Sequence, residues 1–259
     1  MLARSLALIV ASPRPTVGKT LLARLIGDYF RGLGQRPVIF DTDVYEPKLA
    51  SFFPGKAKVI DLEKVPGQMA LFDRLSLPSA ETRVVDLTHR HFEKFFELMR
   101  AMDFATEART HDVVPAILYI AGRDPKTYER GLRLMREFPE YAFVLVENLF
   151  LGEVEVTARV GEAYQTFQDH EPHMVMPPLE PFFAGMIDNT TLSLAEFMRE
   201  RPASVSTPRL PLAFLSLEAR DAVRDWVGTA FSEIARIAGM LKGGREPLPY
   251  ASDLAGEEE

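Results

Sequence analysis

Cysteine is missing from all 259 residues. That excludes disulfides, thiolate zinc sites, iron–sulfur clusters and cysteine nucleophiles, and it agrees with a reducing compartment. Long apolar runs are missing as well: no stretch reaches the roughly 20 residues a transmembrane helix needs. The opening segment MLARSLALIVAS places Arg4 before an apolar run. Leu6 to Ala11 is nevertheless shorter than a secretory signal core of roughly 7–15 residues. It reads as a buried first strand, and the protein as cytoplasmic. An excess of positive charge is also lacking: Lys and Arg total 30, Asp and Glu total 37, and the net charge is −7. Binding to nucleic acid through the overall field is thereby excluded, and any DNA contact would need a local basic patch.

What is present is an ordinary globular composition, 47% hydrophobic, enough for a sizeable core. Short apolar runs alternate with helical spacing. Ser5–Ala11, Pro37–Phe40, Arg83–Leu87, Val113–Ala121, Ala142–Glu147 and His173–Met176 have strand length. Leu21, Leu22, Leu25, Ile26, Tyr29, Phe30 and Leu33 share one face of a helix over Lys19–Leu33, ended by Gly32 and Gly34. A second helix is predicted from Pro125 to about Phe138. A long amphipathic helix over Leu217–Leu241 carries Ala222, Val223, Trp226, Val227, Ala230, Ile234, Ile237, Ala238 and Leu241 on one stripe. Arg201–Pro211, with three prolines, reads as an extended connection. Continuous apolar strands separated by helices predict a doubly wound, mostly parallel α/β sheet flanked by helices. No repeat or interior linker is visible. The expectation is one domain over residues 1–242 and a disordered acidic tail over 243–259.

The most informative segment is SPRPTVGKT, Ser12–Thr20, between the first strand and the first helix. That context suits a phosphate-binding loop, G-x-x-x-x-G-K-[ST]. Gly18 lets the backbone approach a phosphate. Lys19 would place its ammonium on the β- and γ-phosphates, and Thr20 would offer a hydroxyl to Mg²⁺. The helix start adds N–H groups and a favourable dipole end. Pro13 stands where the first glycine of the pattern belongs, and Pro15 removes a backbone donor.

Two further carboxylate positions follow. Asp41 and Asp43 lie at the end of the second apolar run, where ligands of open α/β sheets sit. Strand alternation predicts that they point the same way, Asp41 toward the Mg²⁺ shell and Asp43 toward an attacking water. Each also suits a helix cap. Asp86, ending the run TRVVD, is a candidate Mg²⁺ contact. His89 and His91 follow it without a third ligand at clear spacing and read as loop or surface residues.

Together these residues resemble the ParA/MinD family of deviant-Walker ATPases, a group that also includes dethiobiotin synthetase and the nitrogenase iron protein. The family loop K-G-G-x-G-K-[ST] lies over Arg14, Pro15, Thr16, Val17, Gly18, Lys19 and Thr20. Its Asp-x-Asp lies over Asp41-Thr42-Asp43, and its Walker B aspartate over Asp86. Asn148 stands where such proteins often recognise adenine, and Pro177-Pro178 resembles the turn against the base. The resemblance spans about Ser5 to Leu179. It implies ATP and Mg²⁺ as ligands and ATP-dependent homodimerisation with two nucleotides sandwiched. It also implies hydrolysis that resets the monomer and a macromolecular cargo, protein or DNA. Arg14 replaces the family's signature lysine, which reaches the partner's phosphates. Arg220, Arg224, Arg236, Lys242 and Arg245 form a possible DNA patch, set against solvated charges alternating with acidic residues. The acidic C-terminus lacks the basic amphipathic helix of a membrane anchor.

Three functions remain open on the sequence: a nucleotide-switched ATPase that positions a cargo, an ATP-dependent ligase of the dethiobiotin synthetase type, and a degenerate protein that binds nucleotide without hydrolysing it.

Overall fold

The computed structural model describes residues 4–189, 193–199 and 217–243. The strands are β1 (Ser5–Ala11), β2 (Val38–Asp41), β3 (Ala57–Val59), β4 (Arg83–Asp86), β5 (Val113–Ile120), β6 (Ala142–Asn148) and β7 (His173–Met176). The helices are α1 (Lys19–Gly32), α2 (Lys48–Phe52), α3 (Val65–Ser76), α4 (Phe92–Ala101), α5 (Phe104–Thr110), α6 (Pro125–Glu137), α7 (Val156–Arg159), α8 (Glu162–Gln168), α9 (Pro181–Asn189), α10 (Leu194–Arg199) and α11 (Leu217–Leu241). The strands form one sheet in the order β3-β2-β4-β1-β5-β6-β7, and every pairing is parallel. This is the doubly wound α/β architecture expected from the alternating runs.

The alternation of β1 shows how two helical layers are held. Leu6, Leu8 and Val10 join one core with Leu22, Ile26 and Phe30 of α1 and Val227, Phe231 and Ile234 of α11. Ala7, Ile9 and Ala11 join the other with Leu71 of α3, Phe95 of α4, Ala105 of α5 and Leu132 of α6. A strand covered on both faces has no reason to alternate polar and apolar residues, which is why β1 reads as one continuous apolar run.

The connections fix where a ligand can sit. From β1 the chain passes to β2, on one side, and from β4 it passes to β5, on the other. β1 and β4 are neighbours, so their C-terminal ends form a topological switch point, where helices leave in opposite directions and open a crevice.

Several elements depart from the sequence expectation. β3 is an additional edge strand of three residues, too short and too exposed for periodicity to reveal. Ala222 is exposed, whereas Phe231 and Ala235 complete the buried stripe of α11. Pro115 falls within β5, a central strand, yet pairing with β6 begins only at Ala116. The proline therefore occupies the part of β5 flanked by β1 alone. The segment Arg201–Pro211 and nearly all of the tail lie outside the described residues.

The far edge strand β7 is shielded by α11. The Val175 N–H donates to Glu233 Oε2 at 3.4 Å, and Arg236 donates to the His173 carbonyl. These contacts occupy strand-edge groups that would otherwise invite another strand. They also consume one of the five cations considered as a DNA patch. Arg224 and Lys242 lie over the rings of Phe197 and Phe30, Arg220 is buried, and Arg245 lies outside the described residues. The described members of that set are packed against their own chain.

Candidate functional site

The loop from Ser12 to Gly18 turns the chain from β1 into α1 without a side-chain cap on the helix. Gly18 is the N-cap residue, with φ 94°, and the α1 N-terminus carries no capping side chain. The N–H groups of the first turn therefore face the crevice without an intrahelical partner. A Cβ on Gly18 would lie 2.4 Å from Asn148 Nδ2, so both conformation and space require glycine here. Thr16 also takes a left-handed conformation, φ 56°, unusual for a β-branched residue. The turn that glycine supplies in the family pattern is thus made by a threonine under strain.

The loop is fastened from both sides. Ser12 Oγ accepts from the Arg14 N–H at 3.3 Å, and Asn148 Nδ2 donates to the Val17 carbonyl at 2.9 Å. Lys19 Nζ reaches back to the Arg14 carbonyl at 2.6 Å. Burial lowers the Lys19 pKa to about 8, although Asp86 and Asp43 pull it upward.

Across the crevice, Thr20 Oγ1 donates to Asp86 Oδ2 at 2.6 Å. This bond joins the first turn of α1 to the end of β4. Burial pushes the Asp86 carboxyl up to about 7. The Thr20 hydroxyl and the Lys19 ammonium oppose that rise, and the Asp41 carboxylate adds to it. Asp41 is fully buried at the end of β2, where Oδ1 accepts from the Asp43 N–H and Oδ2 from the Ala50 N–H. Burial raises its pKa. Asp43 is more exposed: Oδ1 accepts from the Tyr45 and Glu46 N–H groups, and Oδ2 accepts from Thr88 Oγ1 at 3.0 Å. Burial works against its ionised form, but these donors and Arg90 outweigh it and hold the carboxyl below its ordinary range.

The two aspartates are therefore not a same-face pair on a strand. β2 ends at Asp41, so alternation does not extend to Asp43, which caps the following turn. Thr42 joins the two strand ends: its hydroxyl donates to the Asp86 carbonyl at 3.0 Å and accepts from the Thr88 N–H at 2.8 Å. Neither Thr42 nor Thr88 was singled out from the sequence. A hydroxyl between the two aspartates and another two places after Asp86 is the pattern that could have marked them.

These groups surround a cavity of about 400 Å³, within the range of small-molecule sites. Pro15, Thr16, Gly18, Lys19, Thr20, Asp41, Asp43 and Asp86 line it. His89 lines it too, with its pKa lowered by burial. His91 is buried rather than superficial and meets Glu63 at 3.1 Å. Val17, Arg14, Asn148 and Pro177 do not line the cavity. The Val17 side chain is buried. Arg14 is paired with Asp124 at 3.3 Å, both partners partly exposed, and Asp124 also caps α6 by accepting from the Lys126 N–H. Asn148 is buried behind the loop, with Oδ1 accepting from the Phe150 N–H. Pro177 borders a separate groove beside β7.

Thr20 and Asp86 offer adjacent hard oxygen donors, with the Asp41 carboxylate near them. No group of three or more His, Asp or Glu side chains suited to a metal occurs among the described residues. Such a sparse donor set fits Mg²⁺, which keeps waters and phosphate oxygens and takes only one or two carboxylates. No described helix is long and apolar enough to cross a membrane.

No protein-family model matches the sequence, and no curated protein matches it. The chain is similar to two solved structures from Aquifex aeolicus, the MinC:MinD cell division protein complex and the MinD cell division protein. In each case sequence identity is 14% and the TM-score 0.44, over 95% of this chain and 99% of the other.

Proposed function

We propose that the chain is a nucleotide-switched ATPase, binding Mg-ATP at the start of α1 and positioning a macromolecular cargo. The observation that carries this reading is the meeting of Lys19, Thr20 and Asp86 on one cavity at the β1/β4 switch point. A triphosphate tail would take the free N–H groups of the first helical turn and draw Lys19 Nζ from the Arg14 carbonyl onto its oxygens. Thr20 and Asp86 would hold Mg²⁺, directly or through water. The ion, when bound, neutralises charge on the phosphates. Asp43, held ionised by its donors, would orient a water at the cavity.

ATP-dependent homodimerisation belongs to the same reading. Arg14 is tethered in its own chain by a partly exposed ion pair. Pairs of that kind contribute at most about 1 kcal/mol, so a partner's phosphates would release it readily. An ATP-dependent ligase has support from Lys48, His89 and Arg90, which line the same cavity and would suit a second, acidic substrate.

Titration calorimetry with Mg-ATP tests the reading, because a ligand of the native chain must also raise its thermal stability. Heat and a raised Tm that vanish in Lys19→Ala are expected, with a doubling of mass by light scattering. No heat and no shift would refute it. Turnover that appears only with an added small carboxylic acid would favour the ligase.

A further inference from the structure

Among the described residues, the lysine and arginine side chains that line the cavity are Lys19, Lys48 and Arg90. Arg90 lies on the short turn His89–His91 that follows Thr88. Its backbone is held on both sides: the Thr88 N–H donates to Thr42 Oγ1 at 2.8 Å, and His91 is buried. Its side chain is half exposed and pairs with Asp43 Oδ1 at 3.7 Å. The guanidinium also lies 5.1 Å from the centre of the Tyr45 ring. Lys19 faces the same corner. Burial lowers its pKa against the pull of Asp86 and Asp43, and burial, Lys19 and Arg90 together lower that of His89. Two cations therefore converge on the end of the cavity beside Asp43. Arg14 is paired with Asp124 instead and does not line the cavity.

We propose that Arg90 holds the terminal phosphate of the nucleotide: its guanidinium leaves Asp43 and closes on the γ-phosphate oxygens opposite Lys19, from within the same chain. This rests on the nucleotide reading above and specifies how the site tells ATP from ADP. A half-exposed ion pair at 3.7 Å is weak, whereas a phosphate takes the guanidinium fork through two charge-assisted bonds. The exchange therefore favours the phosphate. It does not strand Asp43, whose carboxylate keeps the Tyr45 and Glu46 N–H groups and the Thr88 hydroxyl. The Tyr45 ring is exposed, so the guanidinium leaves it without uncovering core.

Calorimetric titration of the full chain with Mg-ATP and Mg-ADP tests this. Arg90→Ala should weaken ATP by about 10- to 150-fold, the range for hydrogen bonds to a charged group, and leave ADP within about twofold. Undiminished ADP binding also shows that the variant is folded. Loss of Arg90 leaves the Asp43 charge uncompensated near the phosphates, so the same substitution is made in Asp43→Asn. A direct contact predicts a similar further loss of ATP affinity there. If Arg90→Ala has no effect on ATP in the Asp43→Asn background, Arg90 only offsets Asp43 and the proposal fails. It fails also if Arg90→Ala weakens ATP and ADP equally, or neither. Mixing Arg90→Ala with Lys19→Ala chains should not restore ATP affinity. Restoration would mean that Arg90 acts across a dimer and would overturn the assignment to one chain. All these results leave the nucleotide reading standing. Absence of heat with both nucleotides in the unaltered chain would overturn that reading and this proposal with it.

Discussion

Replacing Asp86 by asparagine should make the protein more stable while impairing its site. The Asp86 carboxyl is buried, and its pKa rises from 3.8 to about 7. At about 1.4 kcal/mol per unit, holding it ionised in the fold costs roughly 4 kcal/mol. Asparagine has the same shape and can still accept from the Thr20 hydroxyl. It loses the attraction of Lys19 and brings an amide N–H₂ that needs a partner, so a net gain of about 1–3 kcal/mol at pH 8 is expected. The pH dependence identifies the cause. Between about pH 4 and pH 7 the unfolded carboxyl is ionised while the folded one keeps its proton, so the native chain loses stability as pH rises. Below that window both forms are neutral, and the variant's advantage should shrink toward zero. Urea unfolding of both proteins at pH 8 and in steps down to pH 4 measures this. A variant less stable at pH 8, or an advantage that does not change with pH, would refute the reasoning. The same variant should lose the magnesium-dependent part of nucleotide affinity.

Other substitutions test the loop and its supports. Gly18→Ala should cost about 2–4 kcal/mol in urea unfolding, from the left-handed backbone and the clash with Asn148; a loss under about 0.5 kcal/mol would contradict the geometry. Thr16→Gly relieves a strained conformation and should raise stability by about 1 kcal/mol; a loss would show that its hydroxyl or methyl group is needed. Asp124→Ala should cost about 1 kcal/mol through the α6 cap, whereas Arg14→Ala should cost under about 0.5 kcal/mol. Equal losses in thermal melts would mean that the ion pair, not the cap, is what matters.

The strands β1, β5 and β6 were legible because they are buried on both faces and read as continuous apolar runs. β1 and β7 have the predicted bounds, and β5 and β6 end within one residue of them. The edge strand β3 and the helix α5 were not, since a three-residue strand has no usable period and a seven-residue helix shows it for only two turns. The cavity-lining residues of the loop, Thr16, Gly18, Lys19 and Thr20, were legible from one motif in one context. The apolar wall of the same cavity was not, because Phe150, Leu179 and Trp226, which line it, come from three distant segments, and each looks like ordinary core.

By itself, the sequence determined a parallel sheet, a Gly-Lys-Thr loop at its first crossover and aspartates at two strand ends. Local spacing encodes these, through periodicity, chain reversal and the chemistry of adjacent residues. Only the tertiary structure decided which way those side chains face: Asp86 toward Thr20, Asp43 into its own turn, Arg14 onto Asp124 and Asn148 into the back of the loop. Such choices depend on which polar partners lie within about 3 Å, and residues more than a hundred positions apart meet only when the sheet closes around them.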